Sequence, residues 1–297
     1  MMIKNWILAS RLRTLPLALS CIIMGSACAY LLGGFKSNIF IAAIITTILL
    51  QILSNLANDY GDGMKGSDAN RIGPERMLQS GKISPAAMKT AIIICAIASL
   101  LMGIYLIYLS DLSVSKSFGF LLIGIGALLA AVYYTIGKIS YGYKKLGDFV
   151  VLVFFGLVGV VGVFYLYIHD FNISVLLPAL CIGLCSVAVL HLNNMRDATN
   201  DLKAGKYTIA NSLGMEKSKL YFHLLIFTAL SSLFVFTYLR NHYFWNDYLY
   251  MIIYPVFINV MWKVQKSEAE ILFDQFLKPI AISTFLLSCL FALSIYL

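Results

Sequence analysis

The sequence predicts an all-α, polytopic membrane protein with about nine transmembrane helices, and three observations predict it. The first is composition. Of 297 residues, 60% are hydrophobic and only 12% charged, with a mean hydropathy of +0.85. Soluble domains average about 45–50% apolar and about 25% charged. That excludes a water-soluble enzyme, and disorder is excluded because it needs low hydrophobicity and high charge. The second is segmentation. Apolar runs near the length of about 20 residues that crosses a bilayer lie at 14–33, 38–57, 86–110, 117–136, 148–168, 174–193, 219–239, 248–264 and 279–297. They leave only short connections, so residues 1–297 read as one integral-membrane domain. The third is charge. Nineteen of the 22 Lys and Arg residues fall on one side of the predicted membrane, and only Lys36, Lys116 and Arg240 on the other. Positive loops face the cytoplasm. The predicted protein is therefore a multi-pass plasma-membrane protein with a cytoplasmic N-terminus and an external C-terminus. The same asymmetry accounts for the net charge of +8 without a nucleic-acid partner.

The elements follow in order. Lys4, Arg11 and Arg13 before the first run resemble a signal peptide, and Ser26-Ala27-Cys28-Ala29 offers small residues for cleavage. The Arg11–Thr14 segment is better placed in the functional region. The second run passes directly into Asn55-Leu-Ala-Asn58-Asp59-Tyr-Gly-Asp62-Gly-Met-Lys-Gly-Ser-Asp68. The fourth carries Gly119, Gly124 and Gly126. The fifth opens on Asp148, which suits a helix N-terminus, and carries Gly156, Gly159 and Gly162. Glycines allow close helix approach in membranes. The sixth passes into Asn193-Asn194-Met-Arg196-Asp197-Ala-Thr-Asn200-Asp201. The six cysteines all lie in apolar stretches and read as small interior hydrophobes.

The chemistry concentrates in those two polar segments, which hold five of the 14 acids. Residues three and four apart share a helix face. Asn55, Asn58/Asp59 and Asp62 then form one stripe, and Asn193/Asn194, Asp197 and Asp201 another. Like charges at this spacing repel, and charge beside a membrane is costly. A bound cation turns that repulsion into coordination. Carboxylate and amide oxygens suit Mg²⁺ or Ca²⁺ rather than zinc or copper. Lys65, Arg71 and Arg76 follow the first stripe, Arg196, Lys203 and Lys206 surround the second, and Tyr134-Thr-Ile-Gly-Lys138 occupies another loop on the same side. Acids with interleaved bases fit a metal-bridged diphosphate. A solvated basic loop face is the alternative. His191 precedes the second stripe and reads as an interior group or a substrate contact. Tyr133, Tyr134, Phe154, Phe155, Phe164 and Tyr165 either shield a carbocation with their π faces or pack against lipid.

On these residues the sequence resembles the UbiA superfamily of intramembrane aromatic prenyltransferases, and within it the naphthoate-prenylating branch. The supporting strings are Asn55–Asp68, Arg71-Ile-Gly-Pro74, Tyr133–Lys138, Tyr141-Gly-Tyr143 with Leu146-Gly-Asp148, and Asn193–Asp197 with Asp201, Gly205, Lys206 and Thr208. The resemblance implies helices around a central cavity, with both Asp segments at its cytoplasmic mouth. It implies Mg²⁺ held by Asp59, Asp62, Asp197 and Asp201, assisted by Asn58 and Asn194. Arg71, Lys138 and Lys206 are then the contacts to diphosphate, or in one case to a substrate carboxylate. Asp68 positions the loop, and Tyr134 and Arg13 complete the substrate contacts. Two positions depart from the family pattern: Leu12, where relatives carry proline, and Tyr207, where this branch carries arginine. The implied reaction joins a polyprenyl diphosphate to 1,4-dihydroxy-2-naphthoate, with loss of diphosphate and carbon dioxide. Competing readings are another aromatic acceptor such as 4-hydroxybenzoate, and a cation-coupled transporter.

Overall fold

A computed structural model describes residues 2–66, 75–138, 140–240 and 244–297. Among them the chain is helical, with no β-strand beyond one isolated bridge between Lys144 and Tyr207. The helices are α1 (Met2–Ser10), α2 (Leu15–Tyr30), α3 (Ser37–Lys65), α4 (Pro85–Leu109), α5 (Val114–Tyr133), α6 (Gly147–Ile168), α7 (Leu176–Arg196), α8 (Ala198–Lys203), α9 (Ile209–Leu213), α10 (Met215–Leu239), α11 (Tyr254–Lys266) and α12 (Asp274–Tyr296). Eight helical segments among the described residues are long and apolar enough to cross a membrane. The expected eighth span differs. It is built from a 3₁₀ stretch, Trp245–Ile253, that joins α11, and Tyr248 departs from helical geometry inside it. Pro255 lies in the first turn of α11, where a missing N–H costs nothing. About nine crossing elements therefore describes the fold.

Three helices end differently from their apolar runs. α3 continues well past residue 57, so the first polar segment is itself helical up to Lys65, and Gly66 closes it in the left-handed region (φ 73°). That is the conformation glycine supplies at a helix C-terminus. α7 ends at Arg196, and Asp197 leaves helical geometry before α8 begins. The second stripe thus bends at Asp197. At the N-terminus, Arg11 (φ 47°) breaks α1 from α2. α6 contains a π-helical stretch, Leu152–Gly162. A single π turn is the usual occurrence, commonly at functional sites.

Close approaches hold the bundle together where small residues permit them. A Cβ on Gly156 would lie 2.8 Å from the Ala179 carbonyl oxygen, and one on Gly159 2.7 Å from Cys21 Sγ. So α6 is wedged against α7 and α2. Gly119, Gly124 and Gly126 meet nothing within 4 Å and do not play this part. The main core joins α2, α6, α7, α10, α11 and α12 around Phe164, Phe222, Phe257 and Phe291, and a smaller one joins α3 and α4 around Leu53 and Met88. All six cysteines are unpaired. Between the cores lies a cavity of about 800 Å³, lined from α2 to α7 and by α12. On α3 the lining extends from Ala43 to Asp62, roughly 28 Å along the helix at 1.5 Å per residue. This nearly matches the hydrocarbon thickness of about 30 Å.

Candidate active site at the cavity mouth

The two polar segments converge at one end of this cavity. Asn55, Asn58 and Asp62 line it from α3, Asn193 from α7, and Asp197, Asn200 and Asp201 from the bend and α8. The convergence is electrostatically tangible. Burial pushes the Asp201 carboxyl up to about 6; Lys206 opposes the rise, while the nearby charges of Asp197 and Asp62 add to it. Burial also pulls on the Lys206 ammonium, but Asp201 and Asp62 more than offset this and hold its pKa above the usual lysine value. Lys206 Nζ lies 3.1 Å from Asp201 Oδ2.

Loops from two other parts of the chain complete the mouth. Lys145 N–H donates to the Tyr207 carbonyl (2.9 Å) and Tyr207 N–H to the Tyr143 carbonyl (3.2 Å). This short pairing brings Tyr143 beside Lys206. Tyr143 then donates its hydroxyl to Asp62 Oδ1 (2.9 Å), and Lys65 Nζ sits 4.0 Å above the Tyr143 ring. Lys65 also donates to Ser140 Oγ (2.6 Å). Exposed Tyr207 contributes its backbone to this pairing. An arginine there would keep the pairing.

Thr135 docks the loop after α5 onto α3, with Oγ1 3.0 Å from the Ala57 carbonyl and 3.3 Å from Asn58 Oδ1. The approach requires glycine at position 61, where a Cβ would lie 2.4 Å from Thr135 Oγ1 and 2.8 Å from its backbone carbon. Backbone cannot yield as a flexible side chain can. Gly61→Ala is expected to cost about 1–3 kcal/mol of stability and to displace Asn58, read as a lowered thermal midpoint together with reduced turnover.

The structure redistributes several expected site residues. Asp62, Asp197, Asp201, Asn58, Lys206, Tyr134 and Arg13 line the cavity. Asp59 does not. It is buried, and its two oxygens accept from Met77 N–H (3.1 Å) and Leu78 N–H (3.3 Å). One residue of helical rotation separates it from Asn58 on the cavity face. Asn194 is likewise buried behind the lining, and Asn193 takes the cavity-facing place. Lys138 is exposed and outside the lining, because the chain turns at Thr135–Gly137 and carries it outward. Arg71 and Asp68 lie outside the described residues.

Arg196 is completely buried, and His191 is enclosed with Nε2 3.1 Å from the Ser218 carbonyl and its ring edge-on to Tyr221. His191 is therefore an interior group. Of the aromatic residues, Phe154 and Phe155 face the cavity; Phe164 is core and Tyr133 is exposed. Arg11, in the segment the sequence places in the functional region, lines the mouth as well; sequence reading gave no site role to Asn200 or to the Asp274, Gln275 and Lys278 positions that open α12 and also line the mouth. The clue for the last three was polar residues one turn apart immediately before the final apolar run.

Every candidate metal donor in the lining is a carboxylate or amide oxygen, which fits a hard divalent cation. Among the described residues no three His, Cys, Asp or Glu side chains are gathered closely enough to cage an ion unaided.

The fold is a multi-pass helical bundle with a deep, mostly apolar cavity whose mouth gathers acids and bases. The chain matches the model of the UbiA prenyltransferase family over residues 18–294, and it belongs to that family. It is 40% identical to the 1,4-dihydroxy-2-naphthoate octaprenyltransferase of Haemophilus influenzae, over 99% of this chain and 96% of that one. It is 38% identical to the protein of the same name in Escherichia coli, again over 99% and 96%. A solved structure of a digeranylgeranylglyceryl phosphate synthase covers 100% of this chain and 99% of its own, with TM-score 0.62 and 18% identity. The fold is therefore shared between the two proteins.

Proposed function

We propose that this protein transfers a polyprenyl group from its diphosphate to 1,4-dihydroxy-2-naphthoate. The allylic C–O bond breaks and a C–C bond forms at the ring carbon bearing the carboxylate. Diphosphate and carbon dioxide leave, giving the demethylmenaquinone skeleton. The observation that carries this reading is identity near 40% across the full chain to two proteins of that name. The cavity supports it, because an apolar tail and an anionic head need this arrangement of surfaces.

Asp62, Asp197 and Asp201, with Asn58 and Asn193, would hold Mg²⁺. When bound, the ion neutralises charge growing on the departing diphosphate. Lys206 and Arg13 bind phosphate oxygens directly, placing positive charge where negative charge develops. Phe154, Phe155 and Val158 line the inner wall, receive the prenyl chain and keep water from the allylic cation. Holding ring and cation in one cavity replaces a bimolecular encounter with an oriented one. The polar segments and the basic loops lie on the cytoplasmic face in this reading, where a water-soluble naphthoate reaches the mouth.

Purified protein in lipid nanodiscs, given Mg²⁺, octaprenyl diphosphate and 1,4-dihydroxy-2-naphthoate, is expected to yield the prenylated, decarboxylated product by mass spectrometry. Product from 4-hydroxybenzoate alone would reassign the acceptor. Metal-driven ion flux in liposomes without any prenyl transfer would replace the enzyme reading with a transporter.

A further inference from the structure

We infer that Arg76 binds a substrate oxyanion and that Asp59 acts as the positioning residue that sets it in place. The inference rests on the proposed reaction and adds a residue pair to it. Arg76 is 7% exposed and lines the cavity mouth. Its Nη2 donates to Asp62 Oδ2 at 3.2 Å. A guanidinium there already stands on a carboxylate of the candidate metal site, and its fork matches a carboxylate or phosphate geometrically. When an anionic substrate and its cation enter, Asp62 acquires a competing cation and Arg76 a competing anion. The pair is built to exchange partners.

Asp59 holds the segment that presents Arg76. Residues 76–81 form a tight turn, with Ser80 N–H donating to the Arg76 carbonyl (3.0 Å) and Gly81 N–H to the Leu78 carbonyl (3.0 Å). The start of such a turn leaves backbone N–H groups without internal partners. Asp59 supplies acceptors for two of them, Met77 and Leu78, from a different helix. Met77 is buried in one apolar cluster with Leu53, Leu56 and Met88, which anchors the other side of the turn. Asp59 therefore acts one residue away from Arg76, through the backbone, while its neighbour Asn58 faces the cavity.

The shared chemistry is an oxyanion, from the acceptor carboxylate or the donor diphosphate, and equilibrium binding separates the two. Full-length protein in nanodiscs is titrated with 1,4-dihydroxy-2-naphthoate under argon without donor, and separately with inorganic diphosphate and Mg²⁺. Arg76→Gln is expected to weaken one of these by about tenfold or more, the scale of a charge-assisted hydrogen bond, with the same substrate's KM rising in turnover assays. Asp59→Asn keeps the shape but turns an amide NH₂, itself a donor, toward a backbone donor. It is expected to raise the same KM as Arg76→Gln and leave the Mg²⁺ concentration for half-activation unchanged. The double variant should be no worse than Arg76→Gln alone, since coupled residues are non-additive.

Arg76→Gln with both affinities at the wild-type level would overturn the oxyanion contact. A shifted Mg²⁺ requirement in Asp59→Asn with unchanged KM would return Asp59 to the metal. Additive losses in the double variant would break the link between the two. If Asp59→Asn does not fold, Met77→Pro, which deletes one of the two N–H donors, tests the same clamp and should reproduce the KM change. Failure of the wild-type protein to prenylate the naphthoate would instead overturn the proposed function, while the two binding titrations would still judge Arg76.

Discussion

Asp62→Asn and Asp197→Asn are each expected to reduce prenyl transfer at least about hundredfold, the range seen when one preorganised electrostatic partner of a developing charge is removed. Both carboxylates line the cavity. They come from separate helices and sit close enough for Asp201 to feel both. The asparagine side chain keeps the volume and one acceptor oxygen, so the Tyr143 hydrogen bond to position 62 can persist. The lost quantity is charge, and with it the affinity for a divalent cation. The check is turnover measured across a Mg²⁺ series, beside thermal unfolding of the same nanodisc samples. Near-wild-type turnover in both variants would remove the metal-bridged diphosphate from the reading.

Arg196→Ala is expected to destabilise the fold by about 3–5 kcal/mol, the cost of stripping one partner from a buried ion pair. Arg196 is fully buried, and its Nε and Nη2 reach both oxygens of Asp197 at 2.9 and 2.6 Å. Nη2 also donates to Asn193 Oδ1 (2.8 Å), and Nη1 pairs with Asp274 at the start of α12. The side chain thus ties the end of α7 to α12 across the cavity mouth and fixes the bend at Asp197. Most of the penalty comes from Asp197, which stays buried; Asp274 is 40% exposed on its side chain and contributes little. Arg196→Lys should recover only part of the loss, because an ammonium cannot span both oxygens of Asp197. Detergent-solubilised thermal unfolding gives the order wild type, Arg196→Lys, Arg196→Ala. Wild-type stability with impaired diphosphate binding would mean that Arg196 contacts substrate.

Beside Asp197 in sequence, Arg196 reads as one more base around an acid cluster. One residue of helical rotation sends it into the protein and Asp197 toward the cavity. The same rotation separates Asp59 from Asn58, and Asn194 from Asn193. The spacing of three and four marked the right faces, but it left two neighbours eligible at each step, and the neighbouring helices decide between them. Lys138 is the opposite case: its string was legible, but a turn at Gly137 takes the side chain outside.

What the sequence alone determined was the membrane-embedded helical class, the approximate spans, and the two segments that carry the acids. Each depends on composition or local periodicity, which a chain states residue by residue. Tertiary structure decided which side chain of each adjacent pair meets the cavity, that α12 helps to line its mouth, and that Tyr143 and Lys206 meet through a two-strand-like pairing of distant loops. These depend on the rotation and closeness of helices far apart in sequence, set by contacts such as Gly61 on Thr135 and Gly156 on Ala179, and no local pattern encodes them.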